Sequence, residues 1–112
     1  MSGISTHVLD TAKGQPAQGL RVMLERQSDA ADWILVGEGI TDRNGRVSQL
    51  LRSGETLEAV SYRLVFRTGD YFESRECFYP EVTVRFLVRD PSANYHIPLL
   101  LSPYGYTTYR GS

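Results

Sequence analysis

Few groups in this chain can do chemistry. His7 and His96 are its two histidines, and an imidazole titrating near about pH 6.5 is suited to acid/base work at neutral pH. Arg46 follows directly on Asn44-Gly45. Its planar, permanently charged fork suits oriented recognition of oxygen- and nitrogen-rich groups. The sequence closes on "IPLLLSPYGYTTYRGS", in which strand-forming residues run into Tyr109, Arg110, Gly111 and Ser112 where a polar tail is usual. That segment either closes a sheet or lines a site. Taken singly, each of these residues is equally at home elsewhere: the histidines and Arg46 on a solvated strand or turn, Tyr109 in packing, Arg110 and Ser112 at a hydrated end.

Other constellations are weaker. The carboxylates are scattered, and there is no nucleophile elbow, phosphate-binding loop or dinucleotide fingerprint. Two histidines without neighbouring acidic or thiol ligands make a poor zinc site, so neither a metal nor a cofactor is expected.

The bulk properties bound the problem further. At 112 residues the chain reads as one domain, 1–112, large enough to build a core without staples. A formal net charge of -1 gives no electrostatic footprint for nucleic acid or an anionic membrane. Eleven arginines stand against the single Lys13. Cys77 is alone, which rules out an internal disulfide. No apolar run marks a leader near Met1 and no stretch is long enough to span a membrane, so a cytoplasmic protein is expected.

Elements must position these groups, and the apolar pattern recurs with period two in short segments, the all-β signature. Strands are expected at "ISTHVLD", "LRVMLERQ", "DWILVGEGI", "RVSQLL", "SYRLVFRT", "EVTVRFLV", "NYHIPLLL" and "GYTTYR". "AKGQPAQG" reads as a connection, and "TDRNG" as a turn with Asn44-Gly45 supplying positive φ. "GDYFESREC" breaks the alternation and fits one or two helical turns with Asp70 as N-cap. Eight short strands and one small helix argue a two-sheet sandwich. Pro98 lies inside the seventh strand, which must therefore have an unpaired side or a bulge there.

Strand parity then sorts the faces. Tyr95, Ile97, Leu99 and Leu101 share a core face, leaving His96, Pro98 and Leu100 opposite. Ile4, Thr6 and Val8 fall together, leaving His7 and Leu9 opposite. Thr107 and Tyr109 separate from Tyr106, Thr108 and Arg110. The polar candidates can thus collect on the outer face of one sheet. With Leu9, Pro98 and Leu100 beside them, that face is more apolar than a solvated one and expects cover by another subunit.

The residues also carry a resemblance. "ISTHVLDTAKGQPAQG" and "YHIPLLLSPYGYTTYRGS", with "TDRNGRV" and "FYPEVTVRF" between them, resemble the transthyretin-like family and, within it, the 5-hydroxyisourate hydrolases. The resemblance covers essentially the whole chain, and Tyr-Arg-Gly-Ser is its most specific piece. It implies an eight-stranded transthyretin-like (prealbumin) sandwich and a homotetramer, a dimer of dimers with sites where dimers meet. It further implies hydrolysis of a cyclic amide of 5-hydroxyisourate to 2-oxo-4-hydroxy-4-carboxy-5-ureidoimidazoline in urate breakdown. His7, Arg46, His96 and the segment from Tyr109 to Ser112 match the family's active-site motifs, and Thr107 joins them by parity. In that reading one histidine is the general base, with His7 favoured. The other serves the carbonyl oxygen or the leaving nitrogen, Arg46 stabilises the oxyanion, and Ser112 adds an acceptor at the chain's end. The alternative is a transthyretin-like carrier that holds a small aromatic ligand without turning it over.

Overall fold

The computed structural model describes residues 3–73 and 76–112. Among them the period-two segments form β1 (Gly3–Asp10), β2 (Gln15–Pro16), β3 (Arg21–Gln27), β4 (Trp33–Ile40), β5 (Arg46–Val47), β6 (Ser61–Phe66), β7 (Val82–Leu87), β8 (Asn94–Ser102) and β9 (Gly105–Thr108), with one helix, α1 (Thr68–Phe72). One sheet has the order β2-β1-β8-β9, with β5 also paired to β1, and the other has the order β4-β3-β6-β7. β1 and β8 run parallel, whereas the remaining strand pairs are antiparallel. The two-sheet sandwich expected from the alternation is the architecture found.

Parity holds where it matters. Ile4 and Val8 of β1 and Tyr95, Ile97, Leu99 and Leu101 of β8 are buried, facing Val22, Leu24, Tyr62, Leu64, Phe66 and Val82 of the other sheet. Full burial of one such aliphatic or aromatic side chain contributes about 1.5–3 kcal/mol. Thr6, also buried, donates its hydroxyl to the Ile97 carbonyl at 2.6 Å, so its own polar group is not orphaned. That bond pins β1 to β8 in one register. Asp10 is buried at the end of β1. It accepts the amides of Ala12 and Lys13 and the Tyr71 hydroxyl, tying the following turn to α1.

Several details differ from the alternation. Nine strands form where eight were expected, because Gln15 and Pro16 turn back to pair with Asp10 and Leu9. The strand expected over "RVSQLL" ends at Val47. The Leu50 amide still reaches the Ile4 carbonyl, but the Arg52 amide already bonds Val36, so the chain is crossing between sheets. The helix begins before Asp70, at Thr68, with Arg67 at the N-cap and no side-chain cap. Thr68 spends its hydroxyl on the Tyr79 carbonyl, and Asp70 sits inside the first turn, 3.7 Å from Arg67. The expected helical stretch also included residues 74 and 75, which lie outside the described residues.

Pro98 produces no bulge. The register set by Leu99↔Thr108 in β8 and β9 carries on without insertion to an isolated bridge, His96↔Gly111. Pro98 marks a gap in that ladder, where the Thr108 hydroxyl takes the Pro98 carbonyl at 2.7 Å. The outer-face stripe is also less open than expected, since Pro98 is buried and Leu9 and Leu100 half-buried within the single chain.

Candidate functional site

Two ladder registers assemble the site. Along the parallel β1–β8 pair Ser5 lies opposite His96 and His7 opposite Pro98. Along β1–β5, His7 lies opposite Arg46. Residues opposite one another in a ladder share a face, so Ser5, His7, Arg46 and His96 all stand on the outer side of this sheet. A slip of one residue would turn both histidines into the core, which the inward-facing Ile4, Val8, Ile97 and Leu99 forbid.

Arg46 is delivered by the turn before it. Asp42 accepts the amides of Asn44 at 2.8 Å and Arg46 at 3.0 Å, and the Gly45 amide closes on the Asp42 carbonyl at 2.8 Å. The amide of Arg46, then those of Asn44 and the charges of Arg46 and His7, hold the Asp42 carboxyl below its usual range. Within this turn positive φ falls on Gly45, at 77°, and not on Asn44, a conformation that glycine adopts without strain. A Cβ there would also lie 2.3 Å from the Val8 carbonyl oxygen. This close approach lays the turn on β1 and aims Arg46 at the histidines.

His96 is held from two sides. Its Nδ1 is hydrogen-bonded to the Ser5 hydroxyl at 2.8 Å. Gly111 bridges back to it, donating its amide to the His96 carbonyl at 2.8 Å. A Cβ on Gly111 would fall 2.5 Å from His96 Cδ2, so the tail backbone packs directly on the ring. Burial, followed by the nearby charges of His7 and Arg46, lowers the His96 pKa below the ordinary imidazole value. The ring is therefore neutral at pH 7 and available for proton transfer.

The space around these groups divides into three. An open groove of ≈ 530 Å³ is lined by Ser5, Arg46, Gln49, Asn94, His96 and Ser112, among others. A second, ≈ 360 Å³, is lined by His7, Leu9, Pro16, Asn44 and Arg46. Arg46 is common to both, so the two grooves flank one guanidinium. A smaller, largely apolar cavity of ≈ 230 Å³ opens between the sheets beside β7 and is lined by Tyr95, His96, Thr108, Tyr109 and Arg110, among others. His96 borders this cavity as well as the large groove.

Of the residues singled out from the sequence, His7, Arg46, His96 and Ser112 thus gather around the grooves, with Gly111 against His96. Tyr109 and Arg110 turn to the inter-sheet cavity, where the Arg110 guanidinium lies 4.6 Å from the Tyr95 ring centroid. Thr107 is exposed opposite Leu100 and borders none of the three spaces. Ser5 was not anticipated. Its signal was available, since it has the same parity as His7, but a serine on a strand is unremarkable until the parallel register sets it against His96.

The direction of the His96 shift yields a measurable expectation. In a proton NMR titration His96 should show a midpoint below about 6.5. Arg46→Gln should move that midpoint up, because removing a neighbouring cation eases protonation. A midpoint at or above the ordinary value, unmoved by the substitution, would contradict the proximity described.

A family model described as the HIUase/Transthyretin family matches residues 4–111. A protein of Rhizobium meliloti named 5-hydroxyisourate hydrolase 2 is 46% identical over 97% of this chain and 95% of its own length. Among solved structures, Klebsiella pneumoniae 5-hydroxyisourate hydrolase superposes with a TM-score of 0.82 at 33% identity, covering 97% of this chain and 98% of that one. Sea bream transthyretin in complex with thyroxine superposes with a TM-score of 0.85 at 26% identity, covering 96% and 93%.

Proposed function

The chain belongs to the HIUase/transthyretin family, and from that premise we propose that it is a hydrolase that opens the ring of 5-hydroxyisourate. The observation that carries this is the meeting of His7, Arg46 and His96 on one outer sheet face through two independent registers. A carrier needs shape and apolar lining; it has no use for a neutral imidazole beside a fixed guanidinium.

The chemistry follows from the groups present. His7 takes a proton from water as the oxygen attacks the cyclic amide carbonyl, and the carbonyl π pair moves to oxygen. Arg46, flanked by both grooves, offsets the charge of that oxyanion; a well-aimed donor of this kind is worth about 3–4 kcal/mol. Collapse re-forms the carbonyl and breaks the C–N bond, and the leaving ring nitrogen takes the proton that His7 removed from the water, while His96 hydrogen-bonds the oxyanion. Water is added across the bond and nothing is oxidised. Ser112 borders the substrate space and Gly111 packs on His96 beside it, whereas Tyr109 and Arg110 line the inter-sheet cavity behind His96.

A neighbouring copy is part of the proposal: a homotetramer, assembled as a dimer of dimers. It is supported by the outer edges of β7 and β9, which pair with no further strand among the described residues, and by Phe78 and Tyr104, which are 66% and 64% exposed. Large exposed aromatics beside an open sheet edge invite pairing. Sedimentation velocity at micromolar concentration should give four times the 12.6 kDa chain mass; a stable monomer would remove the interface. Among the described residues no helix is long and apolar enough to cross a membrane. The reaction is proposed for the cytoplasm, where the free Cys77 stays reduced.

The direct test adds protein to freshly generated 5-hydroxyisourate and follows its ultraviolet absorbance. Decay should accelerate in proportion to protein concentration. An unchanged decay at micromolar protein sinks the hydrolase reading and leaves the carrier.

A further inference from the structure

We propose that Ser5 is a positioning residue that fixes the tautomer of His96, donating its hydroxyl proton to Nδ1 so that the imidazole keeps its own proton on Nε2. The role rests on the hydrolase reading for its consequence, but the tautomer itself is a property of the resting protein.

A neutral imidazole carries one donor and one acceptor, and which nitrogen is which depends on its partners. Here Nδ1 has one partner, the Ser5 hydroxyl at 2.8 Å, and no other described group is bonded to Nε2. The hydroxyl can either accept from Nδ1–H or donate to an unprotonated Nδ1. To accept, it would need an acceptor for its own proton. Of the polar neighbours along the groove, Gln49 has its oxygen engaged with the amides of Ile4 and Leu51, and Ser48, Asn94 and Ser112 make no hydrogen bond with Ser5 among the described residues. Arg46, which also faces this ring, can only donate, and among the described residues the Ser5 hydroxyl is hydrogen-bonded to no acceptor other than Nδ1. Donation to Nδ1 satisfies both atoms at once.

Geometry makes the bond directional. Ser5 and His96 are register partners on adjacent parallel strands, so their separation is set by the sheet. The Gly111 backbone closes the opposite side of the ring, with room for no Cβ. A ring held at Nδ1 and packed along its Cδ2 edge cannot flip without breaking both contacts, so the Nε2–H is a fixed donor. In the hydrolysis it is the group that donates a hydrogen bond to the carbonyl oxygen as it becomes an oxyanion, and His7 is left as the base that carries the proton. The sheet thus distinguishes two histidines that look equivalent in the sequence.

The test reads the tautomer first. In protein labelled with nitrogen-15 at histidine, the ring shifts of His96 at neutral pH should show Nδ1 unprotonated and Nε2 protonated. In Ser5→Ala the two tautomers should mix, and kcat for ring opening should fall about tenfold with KM changed less than about twofold. Ser5→Thr, which keeps the hydroxyl, should restore both the shifts and most of kcat. A protonated Nδ1 in the unsubstituted protein overturns the proposal whether or not Ser5→Ala folds. So does a folded Ser5→Ala with unchanged shifts and kcat. If the unsubstituted protein shows the expected tautomer but opens no ring, the tautomer assignment stands and the hydrolase reading is what has failed.

Discussion

His7→Asn and His96→Asn should each lower kcat/KM for ring opening by about a hundredfold or more, with the fold intact. A hundredfold corresponds to about 2.7 kcal/mol of transition-state stabilisation. Both side chains stand on the outer face and are half-buried, so asparagine leaves no cavity in the core. It retains a polar group but titrates nowhere near neutral pH, so proton transfer is lost at His7 and the aimed Nε2–H donor is lost at His96. The two variants separate the competing readings. A carrier would keep ligand affinity in both, because shape and apolar contact are untouched. A hydrolase loses turnover in both. Circular dichroism and thermal melts supply the control: unfolding of either variant would mean that its side chain supports the core and that the outer-face assignment is wrong. A folded variant with full activity would remove that histidine from the reaction.

Much of this arrangement is legible in the sequence. The alternation in "NYHIPLLL" and "ISTHVLD" assigns each side chain to a face, because the side-chain period of a strand is two whatever its partners are. The burial of Tyr95, Ile97, Leu99 and Leu101 follows directly. Pairing, in contrast, is not a local property. Nothing in the residues announces that β1 and β8 run parallel across an interval of more than eighty residues, and only that register puts Ser5 against His96. The same limit explains β2. Gln15 and Pro16 have no strand propensity, yet the turn after β1 returns them to its edge.

The misplaced helix start and the unbulged course of β8 share a cause, although the unpaired side expected at Pro98 is present as a gap in the ladder to β9. Asp70 is a good N-cap by composition, and Pro98 a good strand breaker, but each preference is worth about a kilocalorie or a few. Burial of Thr68 and Phe72 decides where α1 sits, and burial of Ile97 and Leu99 keeps β8 straight through its proline. The packing on both sides outweighs the local signal. Tyr109 and Arg110 show the opposite case: parity expects them on opposite sides, but beyond Thr108 the chain leaves β-strand geometry, and both line the inter-sheet cavity.

Deleting residues 109–112 should leave a folded protein with ring-opening activity reduced at least about a hundredfold. The four residues contribute nothing to the buried core. What goes is one backbone bond from Gly111 to His96 and the stacking of Arg110 on Tyr95, together worth about 1–3 kcal/mol. The melting midpoint should therefore drop by several degrees without loss of cooperativity. The catalytic cost is larger because the deletion opens the far side of His96. Without Gly111 on its Cδ2 edge the ring can rotate away from the Ser5 hydroxyl, and misplacing a reacting group by about 1 Å can cost a hundredfold in rate. Ser112 leaves the groove beside it. Gly111→Ala isolates the packing contribution, since a Cβ 2.5 Å from Cδ2 must push the ring or the tail aside while residues 109, 110 and 112 stay in place. It should reproduce a substantial part of the rate loss and little of the thermal loss. Steady-state kinetics and melting curves on the three proteins decide the matter: full activity in a folded deletion would reduce the segment to a sheet closure, whereas loss in the deletion with none in Gly111→Ala would move its contribution from the His96 ring to Tyr109, Arg110 and Ser112.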